Sequence, residues 1–344
     1  MKRFAILFMM MSFFNIAHAQ NRIVNVYAYT GEIPDYLVRQ FEKESGIKVN
    51  FSTYENNEIM YAKIRASGRS DYDVIMPSSY FVDRMSRQHL LLKLDPAKLP
   101  NKKNISNDFL HPAYDPQGEY SIPTIWGITG IFYNNASLNQ VSITGWNDLW
   151  NERYHNKLML LDDSREVFSM ALLSLGYSAN DTNPAHIKQA FEKLKTLMPN
   201  VKVFSTDTVV SILIDEDATV GMAWNGDTFK AAQENSNVKF IFPKEGFVIW
   251  VDNFAIPANA RHQAEAYAFI NFFLRSDIAK AVALYTHFPI TNAAGQQLLP
   301  EEVRRNQSIY PSKEILKHGQ FQVDVSDETL GLYETYWEQL KMSG

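Results

Sequence analysis

The chain has 344 residues, no cysteine and a formal net charge of -5. The missing cysteines exclude disulfides, thiolate metal sites, a cysteine nucleophile and a lipid-modified N-terminal cysteine. No basic patch or polybasic run is present, which argues against nucleic acid, while an acidic surface is compatible with a cationic ligand.

Lys2 and Arg3 precede an apolar run over 4–14, and Ala17-His18-Ala19 is a small-x-small cleavage site. Residues 1–19 therefore read as a signal peptide cleaved after Ala19, with a periplasmic destination. An uncleaved anchor is the alternative, but the run is well short of the roughly 20 residues that span a bilayer. Strands are expected over 23–29, 47–53 and 72–76, with helices over 34–45 and 58–67 between them, closed by Gly46 and Gly68. That alternation implies a parallel sheet covered by helices. It restarts with strands at 157–161, 201–204 and 219–224 and helices at 165–175 and 185–197. A strand over 247–256 crosses back, and helices follow over 263–274, 277–285 and 328–341. Two α/β halves without a flexible linker suggest two lobes joined by several crossings. A ligand cleft then lies outside the carboxyl ends of the strands and closes about a hinge.

Trp250 and Asp252 share one face of the crossing strand, placing an indole beside a carboxylate. Such a pair suits an organic ammonium ion. The alternative is a core Trp beside a strand-end Asp that accepts backbone hydrogen bonds. Asp163 and Glu166 stand three apart ahead of an apolar helix. They could hold an amine, or they could be a capping box. Tyr27 and Tyr29, then Ser78, Ser79 and Tyr80, then Trp224-Asn225-Gly226-Asp227 repeat an aromatic-plus-polar pattern at strand ends. No nucleophile elbow, zinc-protease helix, phosphate loop or dinucleotide fingerprint is present. A carboxylate-pair hydrolase and a binder of some other ligand stay open as rivals.

Longer segments, including 41–49, 52–55, 60–63, 120–123, 162–168, 197–201, 243–246 and 255–260, carry a resemblance. On them the chain resembles the spermidine/putrescine-binding periplasmic proteins of polyamine ABC transporters, from about Val24 to Leu340. The resemblance implies an α/β, two-lobed periplasmic binding protein fold, each lobe a mainly parallel sheet flanked by helices, with the ligand cleft between lobes. It implies one lobe of 22–129 plus 254–312 and another of 130–253 plus 313–344. It further implies a monomer without catalysis or cofactor that hands a polyamine to an ABC permease. Asp163, Glu166 and Asp252 would be amine-binding carboxylates, and Trp224, Trp250 and Tyr80 walls of an aromatic slot. Ser78 and Gln322 would be polar contacts. The first loop departs from the Trp-Thr-Glu-Tyr of spermidine-binding members, reading Tyr29-Thr30-Gly31-Glu32, and Phe288 replaces an inter-lobe Tyr. Glu32 is then expected at the distal amine, near Tyr29 and Phe288.

Overall fold

The computed structural model describes residues 22–66, 71–138 and 142–342. The expected signal peptide and the expected end of the second helix at Ser67 and Gly68 lie outside them. β1 (Ile23–Tyr29) is a β-branched and aromatic run, paired in parallel with β2 (Lys48–Tyr54) and β3 (Val74–Ile75). α1 (Asp35–Ser45) buries Leu37, Val38 and Phe41 and stops at Gly46, whose φ of 68° costs a glycine little. α2 (Asn57–Ala66) and α3 (Ser79–Arg87) complete this layer. β3 is shorter than the expected 72–76. Ahead of it, the Asp73 N–H still donates to the Asn25 carbonyl of β1, and its carboxylate accepts the backbone N–H groups of Asn25, Arg261 and His262.

The chain then enters β4 (Ile122–Asn134), β5 (Leu158–Leu160), α4 (Ser164–Ser174), α5 (Pro184–Leu197), β6 (Val201–Phe204), α6 (Val209–Ile214), β7 (Val220–Trp224), α7 (Asn225–Glu234), β8 (Val238–Ile241) and β9 (Phe247–Phe254). It returns through α8 (Gln263–Phe273) and α9 (Ser276–Thr286), then the single-turn helices α10 (Ala293–Gln296), α11 (Glu301–Arg304) and α12 (Lys313–Leu316). β10 (Gly319–Phe321) and α13 (Asp327–Met342) end the described chain. The larger sheet has the order β10-β9-β4-β7-β5-β6, with β8 on β4. It is mixed rather than mainly parallel, because β4 runs against β7, β8 and β9.

The lobes are joined where these long strands outrun one sheet and enter the other. The end of β9 exchanges backbone hydrogen bonds with β3, between Ile75 and Ala255. The start of β4 pairs with the segment after α9, at Ile125 and Ile290. A third crossing leads to β10, which lies parallel to β9. One hydrophobic core gathers β1, α1, α8 and α9, and another gathers β5, β7, α4, α5 and α13. A third, containing Tyr27, Tyr54, Tyr80, Trp126, Phe247 and Val251, lies where the lobes meet.

Gly127 of β4 lies opposite Trp250 in register. A Cβ there would stand 2.1 Å from the indole Cζ2, so the missing side chain makes the room Trp250 occupies. Gly127→Ala is expected to destabilise the protein by about 1–3 kcal/mol through overpacking. Chemical denaturation checks it, and a change under about 0.5 kcal/mol would show that the indole has room to move.

Candidate functional site

A cavity of about 660 Å³ opens between the lobes. Its lining includes all twelve residues singled out from the sequence: Tyr29, Thr30, Glu32, Ser78, Tyr80, Asp163, Glu166, Trp224, Trp250, Asp252, Phe288 and Gln322. Most sit where a strand gives way to a helix, the position that leaves side chains free of both ladders.

Beyond β1, Gly31 takes a φ of 85°, and the N–H of Glu32 donates to the Tyr29 carbonyl at 3.4 Å. The Thr30 N–H and hydroxyl both donate to the Tyr54 carbonyl at 3.0 Å. This turn aims Glu32 into the cavity, where its carboxyl hydrogen-bonds that of Asp252. Glu32 is therefore beside Asp252, not at the distal end where the sequence reading placed it. Its Oε2 has no partner among the described residues.

Asp252 is 4% exposed. The Ser78 hydroxyl donates to its Oδ1, and Asn57 Nδ2 donates to the Ser78 oxygen at 2.9 Å. Burial pushes Asp252 up to about 6, against the pull of the Ser78 and Glu32 hydrogen bonds. Glu32 is held well above the carboxylate range by burial, then by the Asp252 charge and hydrogen bond. Two carboxyls this close do not both ionise freely.

The capping and the amine-holding readings of Asp163 and Glu166 divide between the two residues. Asp163 Oδ1 accepts the Glu166 N–H at 2.9 Å and caps α4. Glu166 does not complete a capping box, and its Oε2 is buried with no partner among the described residues. Burial and the Asp163 charge push Glu166 up to about 8. Glu58, in the first turn of α2, accepts from Tyr80 Oη at 3.4 Å, and burial and Asp163 push it up to about 7. Behind this group, the Arg165 guanidinium lies 5.4 Å from the Tyr80 ring and 5.5 Å from that of Tyr333. It lowers the cost of the Asp163 charge without contacting it as an ion pair.

The aromatic wall is continuous. Trp250 meets Trp224 edge-on with centroids at 6.2 Å and Phe288 at 5.1 Å. Phe288 packs against the first turn of α7, where a Cβ on Gly226 would lie 2.2 Å from the ring. Trp250 Nε1 and Gln322 Nε2 are buried donors without partners among the described residues.

Two acids went unassigned in the sequence. Glu58 looked like an ordinary first-turn acid of a helix. Asp227 lay in a motif that reads as a turn, yet it falls in the first turn of α7 and lines the cavity. Burial pushes Asp227 up to about 7, opposed only by Lys230. Among the described residues, no group of three His, Asp or Glu could hold a metal ion.

The model of the family described as bacterial extracellular solute-binding protein matches residues 36–309. The chain is 43% identical over 326 residues to the spermidine/putrescine-binding periplasmic protein of Escherichia coli strain K12, covering 94% of this chain and 93% of that one. It is 42% identical over 324 residues to spermidine/putrescine-binding periplasmic protein 1 of Haemophilus influenzae, covering 94% and 90%. Its fold is similar to the crystal structure of the spermidine/putrescine ABC transporter substrate-binding protein PotD of Streptococcus pneumoniae. The TM-score is 0.81 at 34% identity, covering 94% of this chain and 99% of that one.

A carboxyl whose folded pKa lies above its unfolded value stabilises the fold most while protonated. That contribution is lost as pH rises from about 4 through the raised value. Glu166→Gln removes one such ionisation. The ligand-free variant is expected to unfold about 2–5 °C above the parent at pH 8 and within about 1 °C of it at pH 4. An equal shift at both pH values in thermal denaturation would contradict this origin.

Proposed function

The chain belongs to the spermidine/putrescine-binding periplasmic proteins, a family of bacterial extracellular solute-binding proteins, and on that footing we propose that it captures a polyamine between its lobes and delivers it to an ABC permease. The observation that carries this reading is the chemistry of the cavity. Glu32, Asp163, Glu166, Asp227 and Asp252 line it, and all have their ionisation opposed by burial. The aromatic wall of Trp224, Trp250 and Phe288 stands among them. A flexible methylene chain bearing spaced ammonium groups answers both features. Its charges pair with the carboxylates, and its methylenes cover the rings.

The binding groups are Tyr29, Thr30, Glu32, Ser78, Tyr80, Asp163, Glu166, Trp224, Trp250, Asp252, Phe288 and Gln322, with Asp227 as a further acid. Gln322 lines the cavity with an amide whose oxygen can accept from an ammonium group, and Trp250 Nε1 is a buried donor. The cavity volume lies within the roughly 300–1,000 Å³ of small-molecule sites. A desolvated cation–π contact contributes about 2 kcal/mol, and a charge-assisted hydrogen bond about 1.5–3 kcal/mol. A few of each, less the cost of ordering a flexible ligand, give roughly -8 kcal/mol, or micromolar binding.

The lobes divide at 22–129 with 254–312 and 130–253 with 313–344, and closure about the crossings expels water and presents a closed surface to the permease. The protein acts as a monomer, without catalysis, after export to the periplasm and cleavage following Ala19.

Asp252→Asn keeps the size of the side chain and removes its charge. It is expected to weaken putrescine and spermidine binding at least tenfold in calorimetry while leaving the thermal unfolding of the empty protein within a few degrees. Unchanged affinity in a folded variant would remove Asp252 from the binding set. Failure of the parent protein to bind any polyamine would overturn the reading altogether.

A further inference from the structure

The polyamine reading leaves one arrangement unused. Glu32 occupies a position where its carboxyl meets that of Asp252, and Asp252 is itself fixed by Ser78 and, through Ser78, by Asn57. Glu32 stands on the turn after Gly31 with its Oε2 buried, whereas Asp252 belongs to strand β9. A hydrogen bond between two carboxyls requires one proton. An ammonium ion placed between them brings its own N–H donors and a positive charge, and so makes that proton redundant.

We propose that Glu32 carries a proton to Asp252 in the empty cleft and gives it up to solvent when a ligand ammonium takes its place, so that capture exchanges one proton for one ammonium group. This rests on the polyamine reading and deepens it. The balance is simple: the Glu32 O–H ionises, the proton leaves to water, and two carboxylates then accept N–H bonds from the same ammonium.

The groups facing the pair are consistent with an anionic surrounding that disfavours the doubly ionised state until a cation arrives. From β1 comes Tyr29, which senses Asp163, Asp252, Glu32 and Glu58. From β2 comes Tyr54, which senses both members of the pair. Glu58 of α2 and Asp163 at the start of α4 act on Tyr29, and Ser78 ahead of α3 supplies the hydrogen bond to Asp252. Tyr114 approaches Asp252 from below and hydrogen-bonds Asn253 Oδ1 at 3.1 Å. None of these is a cation. Arg165 acts on Asp163 and Glu166, and Lys230 acts on Asp227.

The test compares the parent protein with Glu32→Gln, whose amide imitates the protonated acid. Spermidine binding is measured by calorimetry at pH 5 and pH 8, and at pH 7 in two buffers of different ionisation enthalpy to count protons. The expected result is a loss of at least tenfold in affinity at pH 8 but less than threefold at pH 5, with about one proton fewer released at pH 7. Any smaller contrast between the two pH values, or an unchanged proton count, overturns the proposal. Glu32→Ala is the second variant; it must show the same missing proton, which a purely structural defect would not produce. If the parent protein binds no polyamine, the functional reading itself fails. If it binds and the variants match its pH profile, only the exchange fails.

Discussion

Negative charge gathered in a desolvated cleft is the constraint around which the molecule is built. Taking carboxylates out of water without counter-ions is unfavourable, and that cost appears as raised pKa values. Glu166 is pushed up to about 8, Asp227 to about 7 and Asp252 to about 6. The empty cleft is thus held away from its electrostatic optimum. A diamine or triamine supplies the missing charges at several places along one flexible chain, and the proton inventory of the site becomes part of its affinity.

The fold creates this constraint by where it ends its strands. β1 stops at the turn bearing Glu32, β5 at the cap formed by Asp163, and β7 at the first turn of α7 with Asp227. The crossing strand β9 carries Trp250 and Asp252 past the junction of the lobes. Two glycines make the aromatic wall possible, because Gly127 admits the Trp250 ring and Gly226 admits that of Phe288. Asn225 anchors the same region, accepting the Ile128 N–H at 3.0 Å and donating to the Ser308 carbonyl at 2.8 Å. The Trp250 ring and the Asp252 carboxylate are therefore positioned by a strand that also joins the lobes.

Local chemistry made much of this legible in the sequence. The strand over 201–204 has the expected limits, and α1, between Pro34 and Gly46, and α5, opened by Pro184, fall within a residue of their expected ends. The shared face of Trp250 and Asp252 follows from the two-residue period of a strand alone. What local pattern could not show was long-range accommodation. β4 was hidden because Pro123, Gly127 and Gly130 break a strand signal. Their places are explained by a register irregularity near Pro123 and by the rings of Trp250 and Phe240, all supplied by distant pairing. Asp227 stood in a motif singled out at a strand end but was given no role there, since Asn-Gly-Asp signals a turn and here begins a helix. Glu32 was visible as a displaced acid, but only the turn at Gly31 reveals that the displacement brings it to Asp252.

Carboxyl titration of the protein, followed by NMR with ¹³C-labelled Asp and Glu, tests the central claim most directly. In the empty protein, several carboxyl groups should titrate between about pH 6 and 8, and saturation with spermidine should move them below about pH 5. Carboxyl groups that all titrate near pH 4 in the empty protein, or that keep their raised values when spermidine is bound, would contradict it.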